Sequence, residues 1–123
     1  MIRENIQRLK DDISSACRRC GRLPQEITLI AITKNTSTEK IKEAVDSGIA
    51  DIGENRIQEA QQKYQNISGA KFHLVGHLQT NKVKTAVKLF DLIHSVDSLK
   101  IATEIDKEAA KIGKVQDILI QVN

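Results

Sequence analysis

The sequence predicts an α/β fold: a parallel β/α repeat equal to the first five strands of a (β/α)8 TIM barrel, preceded by an extra N-terminal helix. Three observations carry this expectation. Apolar residues alternate along the chain between helical spacing and short continuous runs, the marks of amphipathic helices and of strands buried on both faces. Four of the six glycines, Gly21, Gly48, Gly69 and Gly113, fall between a helical segment and the next apolar run. A polar cluster closes each run, at the same end every time. Strands and helices alternating this regularly imply a parallel sheet with right-handed crossovers.

The first helix is read from Ile2, Ile6, Leu9, Ile13, Ala16 and Cys20, which stand 4, 3, 4, 3 and 4 residues apart on one face. Gly21 supplies its stop, and Pro24 keeps it from resuming. Ile27-Thr28-Leu29-Ile30-Ala31-Ile32 then reads as a strand buried on both faces. Thr36 and Glu39 form a capping box for a helix carrying Ile41, Ala44 and Val45, which Gly48 ends. Ile49 to Ile52 is the second strand, and Asn55 caps a helix of Ile57, Ala60 and Tyr64. Phe72 to Val75 is the third strand, followed by a helix marked by Val83, Val87 and Phe90. Leu92-Ile93-His94 is the core of the fourth. Ser98 caps a helix with Leu99, Ala102, Ile105, Ala109 and Ile112, stopped by Gly113, and Val115 to Val122 is the last strand. Gly53 and Gly76 directly follow strands, where a backbone turns tightly or approaches a ligand.

Composition narrows the function. Hydrophobic residues make up 40% of the 123 positions and charged residues 28%, which excludes wholesale disorder. No run approaches the ~20 apolar residues of a membrane-spanning helix. The start, Met1-Ile2-Arg3-Glu4-Asn5, carries no signal-peptide pattern, so a cytoplasmic protein is expected. A net charge of +3 is too mild to argue for nucleic acid, and three aromatic residues, Tyr64, Phe72 and Phe90, cannot build a base-stacking platform. Cys17 and Cys20 cannot form a four-ligand zinc site alone. No linker or low-complexity segment interrupts residues 1–123, which read as a single, partial barrel domain. A complete barrel takes about 250 residues, and this chain ends on a strand at Gln121-Val122-Asn123. A C-terminally truncated chain is the expectation.

In parallel α/β folds the chemistry gathers at the carboxyl ends of the strands. The residues found there are Thr33-Lys34-Asn35, Gly53-Glu54-Asn55, Gly76-His77-Leu78-Gln79, Ser95-Val96-Asp97-Ser98 and, last, Asn123. One polar cluster per β/α unit sets five clusters around one mouth, although loops are polar in general. Lys34 is the sharpest of these residues. It follows a buried strand, so partial desolvation should enrich its neutral amine, the form that condenses with an aldehyde. A lysine snorkelling to solvent beside a loop is the commoner alternative, and the residues alone leave it open.

Leu29-Ile30-Ala31-Ile32-Thr33-Lys34, Gly53-Glu54-Asn55, His73-Leu74-Val75-Gly76-His77-Leu78-Gln79-Thr80-Asn81-Lys82, Ile93-His94-Ser95-Val96-Asp97-Ser98 and Gln121-Val122-Asn123 together resemble the pyridoxal-phosphate homeostasis proteins. This is the YggS/PROSC-like family of single-domain barrels, and the resemblance covers nearly the whole chain in order. It implies a fold like the barrel domain of alanine racemases. It implies pyridoxal 5'-phosphate held covalently by Lys34 as an internal aldimine, a Schiff base. Asn55, His77 and Ser95 would lie around the cofactor, with Asn123 near the ring face. The family is associated with cofactor supply and amino-acid balance rather than robust turnover. Its members lack the second domain whose tyrosine completes racemase chemistry. Thr33 stands where many members have serine. The family's phosphate-binding segments and the arginine facing the pyridine nitrogen would lie past Asn123.

Implied partners are pyridoxal phosphate and pyridoxal-phosphate-dependent apo-enzymes, with self-association through uncovered barrel edges, and neither nucleic acid nor membrane. The competing functions are an amino-acid racemase-type enzyme and a truncated interaction module without cofactor. Other motifs point elsewhere only weakly. Cys17-Arg18-Arg19-Cys20 sits at a helix C-terminus, where the dipole opposes thiolate formation. His73 lies in a strand and His77 beyond it, so their spacing does not make a helical metal site. His94 reads as a satisfied structural histidine, and Lys82, Lys84 and Lys88 as a solvated helix face. Ser95 and Asp97 lack the Gly-x-Ser-x-Gly turn of a hydrolase.

Overall fold

The computed structural model describes residues 1–122; Asn123, expected near a cofactor ring, lies outside the described residues. Helix α1 (Ile2–Cys20) leads through a 3-10 turn at Pro24–Glu26 to β1 (Ile30–Ile32). The chain continues as α2 (Thr38–Asp46), β2 (Asp51–Glu54), α3 (Ile57–Tyr64) and β3 (Lys71–Leu74). A 3-10 turn at Thr80–Lys82 runs into α4 (Val83–Leu89), followed by β4 (Leu92–Val96), α5 (Leu99–Lys111) and β5 (Asp117–Ile120). All four strand pairings are parallel and the sheet order is β1-β2-β3-β4-β5. The expected α/β architecture of five parallel strands, each joined to the next through a helix, is the observed one. Among the described residues no helix is long and apolar enough to cross a membrane.

The core lies between the sheet and its helices. Ile52, Leu74 and Ile93 occupy adjacent strands and pack under Ile41, Ala60, Val87 and Ile105 from four helices. Tyr64 stacks on Phe72 with ring centroids 4.1 Å apart and meets Phe90 edge-on at 5.9 Å, so all three aromatic rings share one cluster. The inner face is defined by Gly53: a Cβ added there would point at Ile30, Ile32 and Val75. That face is open beside the edge strands, where Ile32 is 48% and Leu119 49% exposed.

Several boundaries differ from the sequence expectation, each for a local reason. The run Ile27 to Ile32 is not a six-residue strand buried on both faces. Ile27 closes the 3-10 turn by donating to the Pro24 carbonyl, and β1 pairs only from Ile30, opposite Asp51. The second strand likewise runs Asp51–Glu54 rather than Ile49 to Ile52, and the last contracts to Asp117–Ile120. Thr36 does not cap α2, because its amide and hydroxyl are spent on the Thr33 and Lys34 carbonyls; Ser37 takes the cap and accepts from the Lys40 amide. Asn55 does not cap α3, whose cap position is Arg56. In α1 the buried line runs through Ile6 and Cys17 rather than Ala16 and Cys20. A 3.5-residue repeat drifts around a 3.6-residue helix by about 20° per heptad. The Gly21 stop, left-handed at φ 72, and the Ser98 cap, accepting from the Ile101 amide at 3.2 Å, are as expected.

Candidate functional site

Lys34 lies in a four-residue turn just past β1. The Thr36 amide donates to the Thr33 carbonyl at 3.1 Å. Asn35 takes the left-handed conformation at φ 57, a position that tolerates asparagine. Lys34 itself is exposed. The partial desolvation expected from its place after a buried strand is absent, because β1 is an edge strand whose inner face is open. Among the described residues its ammonium takes part in no hydrogen bond or ion pair.

The turn stands on a charged network between β2 and α3. The Thr33 hydroxyl donates to Glu54 Oε2 at 2.5 Å. Lys63 Nζ donates to the Thr33 carbonyl at 2.5 Å, to Glu54 Oε2 at 3.0 Å and to Glu59 Oε1 at 2.7 Å. Glu59 Oε1 also accepts from the Asn35 amide at 2.8 Å. The Glu54 side chain is 0% exposed, and its Oε1 has no partner among the described residues. Burial opposes the charge on Lys63, but its bonds to Glu59 and Glu54 outweigh that and hold its pKa above the usual lysine range. The Lys63 hydrogen bond, then the Asn35 amide, hold the Glu59 carboxyl below its usual range. Burial, then the Glu54 charge, push the Tyr64 hydroxyl upward. Sequence reading singled out neither Glu59 nor Lys63; their i, i+4 spacing on a helix is the signal that was there to find.

Asn55 and His77 come together. A cleft of ≈ 310 Å³ between the β2–α3 and β3–α4 connections is lined by both, with Arg56, Gln79 and Lys82 alongside. His77 and Gln79 also border a neighbouring cleft that reaches Asp97 and Ser98. Asn55 is half-buried and His77 exposed. Ser95 is not in the loop after the fourth strand but inside β4, 2% exposed, its hydroxyl without a partner among the described residues. The β4–β5 register slips between Ile93 and Val96, and this irregularity re-aims the residues between them. A cavity of ≈ 460 Å³ bordered by Lys10, Pro24 and Asp51 lies at the opposite, amino end of the strands.

The remaining candidates resolve into structure. His73 Nε2 meets Asp51 Oδ1 at 2.8 Å, and His73 Nδ1 meets His94 Nε2 at 2.9 Å. With Asp51 accepting, a neutral His73 turns an acceptor nitrogen toward His94, so His94 donates. Burial, then His73, lower the His94 pKa. Among the described residues no three His, Cys, Asp or Glu side chains are grouped to hold a metal. Cys17 is buried and Cys20 exposed, both as free thiols at the end of α1. Lys82, Lys84 and Lys88 are exposed, as a solvated face requires.

The family described as alanine racemase, N-terminal domain, matches residues 2–123. The chain is 38% identical to the pyridoxal phosphate homeostasis protein of Escherichia coli K12, over 99% of this chain and 54% of that protein. It is 40% identical to the protein of the same name from Aquifex aeolicus, over 98% of this chain and 54% of that one. Among solved structures it is similar to PipY of Synechococcus elongatus PCC7942 with PLP bound, at TM-score 0.85 and 36% identity, over 100% of this chain and 55% of PipY. The chain thus spans about half the length of the curated relatives it matches.

Proposed function

This chain belongs to the alanine racemase N-terminal domain family, and from that premise we propose that it binds pyridoxal 5'-phosphate through Lys34, in cofactor homeostasis or carriage rather than sustained turnover. The observation that carries the reading is an uncommitted amine on a fixed turn: among the described residues Lys34 has no partner, while the residues on both sides of it are held. Its similarity to PipY, which is PLP-bound, and to proteins named for pyridoxal phosphate homeostasis supports the same reading.

The neutral Lys34 amine would add to the aldehyde carbon and expel water, which needs no oxidant or reductant. The bound group would supply an electron sink beside that carbon. The chain's other residues fit such a ligand in two ways. Arg56 and Lys82 bring positive charge to the cleft shared by Asn55 and His77, suiting an anionic substituent. The Ser95 hydroxyl is buried with hydrogen-bonding capacity unused. Residues 1–123 would act as one partial barrel domain, with Asn123 near the ring face.

The test is chemical labelling. Purified protein mixed with pyridoxal phosphate should develop visible absorbance, and borohydride should fix a phosphopyridoxyl mass on the peptide containing Lys34. Lys34→Ala should lose both signals. An unchanged spectrum in Lys34→Ala, or label confined to other lysines, would reject the assignment.

A further inference from the structure

We infer that Glu59 and Lys63 are positioning residues that aim the Lys34 side chain toward an aldehyde ligand; the inference rests on the Lys34 reading above. The argument is about two peptide planes. A residue's Cα–Cβ direction is set by the planar peptide units on either side of it, since only φ and ψ are free between them. The unit before Lys34 presents the Thr33 carbonyl, and Lys63 Nζ donates to it at 2.5 Å. The unit after Lys34 presents the Asn35 amide, which donates to Glu59 Oε1 at 2.8 Å. Glu59 and Lys63 are bonded to each other at 2.7 Å, one turn apart on α3. Two bonded side chains therefore hold both planes that flank one lysine, and the Thr36 hydroxyl adds a bond to the Lys34 carbonyl at 3.2 Å.

The anchor beneath them is buried. Glu54 lies fully buried under Lys63 and also receives the Thr33 hydroxyl, tying the turn to β2 as well as α3. The arrangement also separates the roles of two lysines. Lys63 spends its ammonium on three acceptors, so it is the fixed charge; Lys34 bonds to none of the described residues, so it is the free amine. Holding a reacting group by its backbone leaves the side chain able to reach while removing the freedom that would slow its approach.

Glu59→Ala separates positioning from folding, because Glu59 sits at the rim and its loss leaves the buried Glu54–Lys63 pair intact. The expected result is a folded chain in which borohydride-fixed labelling of Lys34 by pyridoxal phosphate slows by about tenfold to a hundredfold. Exchange of the Asn35 amide proton, read by NMR without ligand, should quicken together with it. Glu59→Gln keeps an acceptor for that amide and should recover most of the labelling rate. Equal labelling rates in Glu59→Ala and the parent chain, with only the melting temperature lowered, would overturn the positioning role and leave the Lys34 reading standing. A parent chain that takes no label on Lys34 would defeat that reading and the positioning role with it.

Discussion

The backbone of Gly76 lies against that of Asn55 so closely that a Cβ built on the glycine would stand 2.1 Å from the Asn55 carbonyl oxygen and 2.8 Å from its Cα. The obstacle is main chain, which cannot swing aside as a flexible side chain does. Contact at this distance joins the β2–α3 and β3–α4 connections and sets the spacing of Asn55 and His77 across their shared cleft. Gly76→Ala should therefore destabilise the fold by about 1–3 kcal/mol and widen the cleft. A urea titration coinciding with that of the parent chain would refute this.

Removing Glu54 tests the buried end of the network. Glu54→Ala takes away one of the two carboxylates that neutralise Lys63, and it leaves the Thr33 hydroxyl only the Gly53 carbonyl, at 3.2 Å. Breaking a buried ion pair from one side costs about 3–5 kcal/mol, and the surviving Glu59 contact puts this case near the lower end. Glu54→Gln, which keeps an acceptor, should lose less. Equal denaturant midpoints for the two variants would show that charge, rather than hydrogen bonding, dominates here.

The same network fixes a pH window. A carboxyl depressed on folding stabilises the folded chain wherever it is ionised in both states. The Glu59 contribution is therefore complete above its ordinary value of 4.5 and is lost as pH falls through the lower folded value. The Lys63 contribution has the opposite sense. It is complete below the ordinary 10.5 and is lost as pH rises through the higher folded value. The contribution of this pair to stability should be level between these limits, and Glu59→Ala should shallow the acid limb. An acid limb unchanged in Glu59→Ala would assign it to other carboxyls.

What the sequence made legible follows from what is local. Alternating periods, a glycine able to take φ 72 at position 21 and a serine cap at 98 are short-range signals, and each appears where it was expected. The face of the first strand is not local. Whether Ile32 is buried depends on what lies across the sheet, and helices cover only the other side. The site divides the same way. Lys34, Asn55 and His77 announce themselves as polar residues after apolar runs. Glu59 and Lys63 look like an ordinary helical charge pair until the fold brings Asn35 and Thr33 against them. Ser95 was misplaced because a register slip between Ile93 and Val96 leaves no mark in apolar spacing.

The histidine pair should act on stability at mildly acidic pH. Burial and the neighbouring His73 lower the His94 pKa below 6.5, so the folded chain holds that ring neutral more firmly than the unfolded chain does. For a base shifted this way, stability is complete above 6.5 and falls as pH drops from there toward the folded value, where the loss levels off. Because His94 Nε2 already donates to His73 Nδ1 at 2.9 Å, the added proton goes to His94 Nδ1 and that contact stays in place. Ring-proton NMR should show His94 titrating below 6.5, and His94→Gln should flatten the fall in stability across that interval. A His94 titration at or above that value would rule the mechanism out.

The open inner face carries a final consequence. Ile32 at one edge and Leu119 near the other expose apolar side chains, and β1 and β5 end the sheet with unpaired strand edges. Contiguous apolar surface beside a free strand edge favours association with another chain, through burial of the side chains and pairing of the backbone. Sedimentation velocity over a range of micromolar concentrations should therefore show mass rising with concentration. Leu119→Lys places a charge on the inner face at the β5 edge, on the side of the strand away from the packed layer under the helices, so it should shift the distribution toward monomer while the melting temperature changes little. A parent chain that sediments as a monomer throughout the range would show that the edges are sufficiently protected as they stand.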